Sequence, residues 1–304
     1  AAYFAPIWWV SLTAPNYPAD AFPDGIRIHF HFDCVYNGCR AAGKGTRMAN
    51  EIIQKDLSHD DERYNPITDA KKDLNKNAEG LDCVHEMNTI NHYVGMFPIA
   101  TGAPVEKPLA KFFFGFFAVM LVAFAVNRKK PRILILSAGF AAVAAWMIID
   151  QFMLGHLESH VQAYMQESGT FFKDMDRINV WGDNVRQVSK LVIFGLIAVM
   201  GIVIAGVALI RPFQLLLALV PALLPVFFVI TYAGWLWFFG HNMHPWGAFT
   251  VKPFMPTVFG EGKVAQFSTF SYPYWGYGLL VAIFVCMMLA LLIRRKQLRE
   301  GTAE

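Results

Sequence analysis

Two short stretches combine imidazole with thioether, a ligand pair that suits copper. The first is Leu81-Asp82-Cys83-Val84-His85-Glu86-Met87-Asn88-Thr89-Ile90-Asn91-His92-Tyr93-Val94-Gly95-Met96. Read as a helix, its spacing places His85, His92 and Met96 on one face. Gly95 can end that helix, with Met96 returning by a turn. The rival reading is structural, with His92 and Tyr93 packed and hydrogen-bonded in a domain core. The second stretch is His241-Asn242-Met243-His244-Pro245. Pro245 stops a regular helix, so these side chains project from a turn. The plain alternative is a pair of interfacial histidines.

Two further histidine pairs carry less. His29 and His31 alternate with Ile26, Ile28, Phe30 and Phe32 in a strand pattern. They would lie about 7 Å apart on the face opposite the apolar residues, beside Arg27 and Asp33. His156 and His160 are helix neighbours. Their order, LGHLESH, lacks the HExxH arrangement of a zinc protease, and a solvated interfacial helix accounts for them. His59, among Asp60, Asp61 and Glu62, reads as a solvated surface residue.

The elements that must position these groups are membrane helices. The chain is 55% hydrophobic and only 16% charged, with a mean hydropathy of +0.37, too apolar for an ordinary soluble domain. Five runs each supply the roughly 20 apolar residues that a spanning helix needs. They are 109–126, 133–154, 191–210, 213–239 and 277–293. The runs lack the alternation of a β-barrel strand. Residues 1–10, AAYFAPIWWV, read as the end of a sixth, N-terminal hydrophobic segment, with Trp8 and Trp9 suited to an interfacial belt. The expected fold is an all-α transmembrane bundle of five full spans, with that N-terminal segment as a candidate sixth. A small α+β extracytoplasmic domain over 11–108 completes it.

Arg128, Lys129, Lys130, Arg132 and Arg211 lie between spans, and Arg294, Arg295, Lys296 and Arg299 open a basic tail over 294–304. By the positive-inside rule these connections are cytoplasmic. Segments 11–108, 155–190 and 240–275 then face outward, into the periplasm of a bacterial inner membrane. All nine histidines fall in them. The net charge of +3 is mostly this topology signal, and no basic patch of the kind that binds nucleic acid stands out. Cys34, Cys39 and Cys83 lie outward, where disulfides persist, and Cys286 lies in the last span. Either Cys34–Cys39 or Cys39–Cys83 would make a bridge. Residues 47–58 read as helix, 59–76 as a charged loop, and the aromatic and proline-rich stretch 253–273 as a rigid lid on the membrane surface or against the first domain. There is no phosphate-binding glycine loop, nucleophile motif or CxxCH haem site. The spans hold no mid-membrane histidine or ion-pathway charge.

Several stretches together resemble a known group. They are Ala5-Pro6-Ile7-Trp8, Ala14-Pro15-Asn16-Tyr17-Pro18, Asp24-Gly25-Ile26, Asn91-His92-Tyr93-Val94-Gly95-Met96, Gly240-His241-Asn242-Met243, Val251-Lys252-Pro253-Phe254-Met255-Pro256, Gly260, Phe267 and Ser271-Tyr272-Pro273. The pattern is similar to that of uncharacterised multi-pass bacterial membrane proteins encoded near nitrous-oxide reductase and copper-delivery genes. His92, Met96 and His241 match it. That gene company implies copper handling. The expectation is a copper-associated accessory membrane protein serving a copper-dependent oxidoreductase, with ligands drawn from His85, His92, Met96, His241, Met243, His244, His29 and His31. The alternative is a non-catalytic interaction subunit of a membrane oxidoreductase or copper monooxygenase complex, without a metal of its own. A catalytic copper site would need a closed ligand set with an open position.

Overall fold

The computed structural model describes residues 2–13, 22, 24–39, 82–248, 251–264 and 266–300. His59, the expected helix at 47–58 and the expected loop at 59–76 lie outside them. Five helical segments are long and apolar enough to cross a membrane: Lys107–Ala125, Lys129–Met153, Met175–Leu209, Leu224–His241 and Trp275–Arg299. A small antiparallel sheet accompanies them.

The first helix outside the spans is α1 (Cys83–Tyr93), capped by the Asp82 carboxylate, which accepts from the Val84 and His85 amides. It is followed by α2 (Ala110–Ala125), α3 (Lys129–Ile148) with a π-turn at Ile149–Met153, α4 (His156–Phe171) and α5 (Met175–Leu209). The 35 residues of α5 extend roughly 52 Å at 1.5 Å per residue, well beyond a hydrocarbon core of about 30 Å. Its surplus is the N-terminal part, which packs against α4. Arg186 fixes that pairing by gripping Glu158 with Nε and Nη2 at 2.7 and 2.8 Å.

The apolar run 213–239 is not one continuous helix. A 3-10 turn (Arg211–Leu215) and the short α6 (Leu216–Ala222) precede α7 (Leu224–His241). Pro225 has no N–H to give, and its ring crowds the carbonyl of residue 221, so the helix breaks at Leu223. The final helix is α8 (Trp275–Arg299). Phe112, Phe116 and Met120 of α2 pack with Leu136, Phe140 and Met147 of α3, Ile193 and Met200 of α5, and Leu217 of α6. Gly139 lets α3 approach Val119 so closely that a Cβ there would stand 2.8 Å from its methyls.

Residues 1–10 are expected to end an N-terminal hydrophobic segment, a candidate sixth span, and the described residues 2–13 do not show a spanning helix. They form a 3-10 turn (Ala2–Phe4) and then β1 (Trp8–Thr13), the central strand of a sheet. Trp8 and Val10 alternate with Trp9 and Ser11, and the ladder on both sides decides the conformation. The sheet also contains β2 (Ile26–Phe30), β3 (Val35–Asn37), β4 (Gly260–Val264) and β5 (Phe267–Pro273), in the order β3-β2-β1-β5-β4. Trp9 pairs with His29 on one side and Tyr272 on the other. The sheet thus draws on both the first and the last of the long polar segments. The stretch expected to act as a lid supplies two of its strands.

One sheet face carries Trp8, Val10, Leu12, Ile26, Ile28 and Phe267 onto Cys83, Met87 and Ile90 of α1 and Tyr232 and Leu236 of α7. Ser271 Oγ, buried between them, takes the Trp8 indole N–H at 2.8 Å. A Cys39–Cys83 disulfide ties the end of the sheet segment to the start of α1, and Cys34 remains a free thiol. At the other end of the bundle, Arg132 bonds the Val126 carbonyl, and Arg294 reaches the Asn127 and Gln214 side chains. The basic connections therefore gather at the end away from the sheet.

Candidate functional site

The histidine and methionine stretches meet where α1 ends. The helix closes at Gly95, which takes φ +85°, while the Met96 amide bonds the Asn91 carbonyl at 2.9 Å. That turn runs directly against the one following α7. The His244 amide donates to the Gly95 carbonyl at 2.6 Å, and a Cβ on Gly95 would stand 2.4 Å from the His244 carbonyl oxygen. A Cβ on Gly247 would in turn stand 2.8 Å from the Gly95 amide nitrogen. Glycine at 95 and 247 is what lets the two backbones touch.

This contact brings His92 and His244 onto one aromatic platform. The His244 ring stacks on Phe172 at 4.3 Å between centroids, and His92 meets the same ring edge-on at 4.8 Å. Met96 is buried in the surrounding cluster with Phe97, Phe172, Ile178 and Phe239, and Met243 packs against it. Met96 also lines a small cavity of about 70 Å³ with Asn91, Val94 and Phe254.

The ring nitrogens differ in what they touch. His244 Nδ1 accepts the Trp246 backbone N–H at 3.1 Å, so the proton of the neutral ring sits on Nε2. Nε2 faces Asp174 Oδ2 at 3.4 Å. His92 Nδ1 is buried with no hydrogen-bond partner among the described residues. Burial holds His92 below the ordinary imidazole value, and the nearby His244 adds to this. Burial likewise lowers His244, followed by Arg177, while Asp174 works in the opposite direction. Both rings are therefore held toward the neutral form, the one that ligates metals.

The remaining candidates lie elsewhere. His85 is exposed on the same face of α1, its ring 5.7 Å from Phe171, and His92 stands at that distance from Phe171 too. His241 is exposed, stacks on Trp237 at 4.6 Å and bonds the Trp237 carbonyl through Nδ1 at 2.8 Å. His29 lies on the sheet face away from α1, stacked on Tyr274 at 5.1 Å. Its pKa is lowered to about 4 by burial, then by Arg27 and His31.

β2 stops at Phe30, shorter than the alternating pattern suggests, because the His31 amide turns back to the Cys34 carbonyl. His31 is thus off the strand, its Nδ1 on the Phe4 carbonyl at 3.2 Å. His156 and His160 are both bonded by the protein, to Asp150 Oδ1 at 3.0 Å and to the Pro104 carbonyl at 2.8 Å. Among the described residues, no three His, Cys, Asp or Glu side chains gather closely enough to hold a metal ion. A site at the His92–His244 junction would have to draw on thioether sulfur. Phe171, Phe172, Asp174 and the Gly95–Gly247 contact are the parts of this arrangement that sequence reasoning missed, and nothing in their local sequence marks them.

Comparison with protein-family models, curated proteins and solved structures finds no match.

Proposed function

We propose that this chain is a copper-associated accessory protein of a bacterial inner membrane. It binds Cu(I) at the His92–His244 junction on the periplasmic face and delivers it to a copper-dependent redox enzyme. The observation that carries this reading is the buried, unpartnered Nδ1 of His92, beside His244 and in the aromatic cluster that holds Met96 and Met243. A buried polar atom without a partner costs about 1–3 kcal/mol, and a ligand there would remove that cost. Thioether with neutral imidazole selects copper over zinc or magnesium.

His92 is the first ligand, with Met96 on the turn that closes its helix. His244 joins less freely. Ligation through Nε2 moves its proton to Nδ1, which requires the Trp246 amide to let go. His85, exposed on the same helix face, is placed to take the ion from solvent. His29, His31 and His241 are not needed at this centre. The arrangement suits an ion that must later leave.

Purified protein loaded anaerobically with Cu(I) would be examined by metal analysis and X-ray absorption at the copper edge. Retained copper with both nitrogen and sulfur neighbours is expected. Failure to retain copper, or a shell of nitrogen and oxygen alone, would remove the proposal.

A further inference from the structure

A second site lies on the bilayer side of the sheet, apart from the histidine–methionine junction. A cavity of about 360 Å³ opens between α2 and α7. Its walls are mainly aromatic, with Phe113, Phe117, Phe227, Phe228, Tyr232 and Trp235 among them. These residues lie on spanning helices, so the walls stand at membrane depth. Its rim is polar and comes from outside the spans or from their ends: His31, Asp33, Glu106 and Lys107. Cavities of this size, mostly apolar with a few convergent polar groups, are typical small-molecule sites.

The rim is rich in acceptors. Glu106 Oε2 takes the Trp235 indole N–H at 2.9 Å and the carboxyl also meets its own backbone N–H, which leaves lone pairs for one further donor. Burial pushes this carboxyl above the usual range, while the Trp235 N–H draws it back toward the carboxylate, the form whose oxygens only accept. His31 Nδ1 faces the Phe4 carbonyl, which can only accept, so in the neutral ring Nδ1 carries the proton and Nε2 offers a lone pair. Lys107, the cation of the rim, directs one of its three Nζ donors to the Thr101 carbonyl at 2.9 Å and is outnumbered by the two carboxyl groups there. Asp33 adds a second carboxylate. Such a rim disfavours an anionic headgroup and fits a neutral head that donates O–H.

We propose that this cavity binds a membrane hydroquinone: a flat ring bearing phenolic hydroxyls, with an apolar tail. The aromatic walls would take the ring by stacking, and the tail would leave between α2 and α7 into the bilayer. Glu106 and His31 would accept the two hydroxyls. The oxidised quinone has carbonyl acceptors in the same places and would leave both pairs of acceptors facing each other unpaired. The acceptor pair Glu106 and His31 therefore favours the reduced ring over the oxidised one by hydrogen-bond polarity. Binding is proposed here, with no electron transfer.

The test uses the whole chain in phosphatidylcholine nanodiscs, titrated with a decyl-tailed dimethoxy-methyl hydroquinone and separately with its quinone. Empty discs supply the partition baseline. Saturable binding above that baseline is expected, at least tenfold tighter for the hydroquinone. Glu106→Gln keeps an acceptor for Trp235 but turns an N–H toward the ring, and should bring the two affinities within about threefold. Thr231→Trp, at an exposed position on the cavity wall, should abolish saturable binding of both. Uptake no greater than in empty discs would overturn the proposal and leave the cavity to ordinary lipid. Equal affinity of the two redox forms in the wild type would overturn it as well, whatever the variants do.

Discussion

Two histidine pairs lie in helices or turns on the sheet side of this bundle and differ in one respect. His156 and His160 are spaced like many metal pairs, yet both have a protein partner: the Asp150 carboxylate and the Pro104 carbonyl. His92 and His244 are far apart in sequence, converge on Phe172, and leave a buried ring nitrogen of His92 without a partner. Spacing marks the first pair and burial without satisfaction marks the second. A histidine with one ring nitrogen bonded to a protein acceptor is helping to hold structure together. One that is held toward the neutral form and keeps a buried ring nitrogen without a partner is better placed to bind something else.

The disulfide is the first place to test this contrast. Cys39–Cys83 anchors the start of α1, the helix that carries His92. Replacing both cysteines by serine should cost about 3 kcal/mol of stability, since such bridges are typically worth 2–4. It should also weaken copper binding at the junction. A thermal-unfolding series in detergent, with and without Cu(I), reads both. Unchanged stability would show that the sheet and α1 hold together without the bridge.

Asp150 offers the complementary perturbation. It is buried and receives Lys111 Nζ at 2.7 Å, His156 Nδ1 at 3.0 Å and Gln151 Nε2 at 2.6 Å. Asp150→Ala takes the acceptor from the buried Gln151 and from the partly exposed Lys111 and His156, and should destabilise by about 1–3 kcal/mol, with copper retention unaffected. Copper loss without loss of stability would reverse the roles assigned to the two pairs.

A smaller effect concerns His29, on the far side of the sheet. Its folded pKa of about 4 lies below the ordinary value of 6.5, so the unfolded chain binds the extra proton first. Its contribution is present above pH 6.5 and is lost as pH falls toward 4. The ring is half-buried, so with solvent screening the loss should be on the order of 1 kcal/mol. His29→Gln should flatten the decline in melting temperature across that window. An equally steep decline in the variant would assign the acid sensitivity to other groups.

Much of the architecture is legible in the chain because hydrocarbon leaves few options for an apolar run. The five spans follow from that, as does the gathering of Arg132 and Arg294 at one end. The Asp82 cap and Gly95 terminus of α1 are equally local. Non-local effects are what sequence misses. Trp8 and Trp9 look like an interfacial belt, yet strand pairing with residues 26–30 and 267–273 makes them the middle of a sheet. The apolar run 213–239 hides a break set by Pro225. The meeting of His92 with His244 depends on two glycine-lined turns fitting together across some 150 residues of chain. The alternating pattern places His31 on the same strand face as His29, but the turn to Cys34 carries it off the strand to the rim of the α2–α7 cavity.

The most direct measurement compares copper per chain in wild type, His92→Ala and His160→Ala, each loaded with Cu(I) and washed at neutral pH. The expected result is full retention in wild type and His160→Ala, with at least a tenfold weaker affinity in His92→Ala. Equal copper in His92→Ala and wild type would contradict the assignment of the open nitrogen as the ligand.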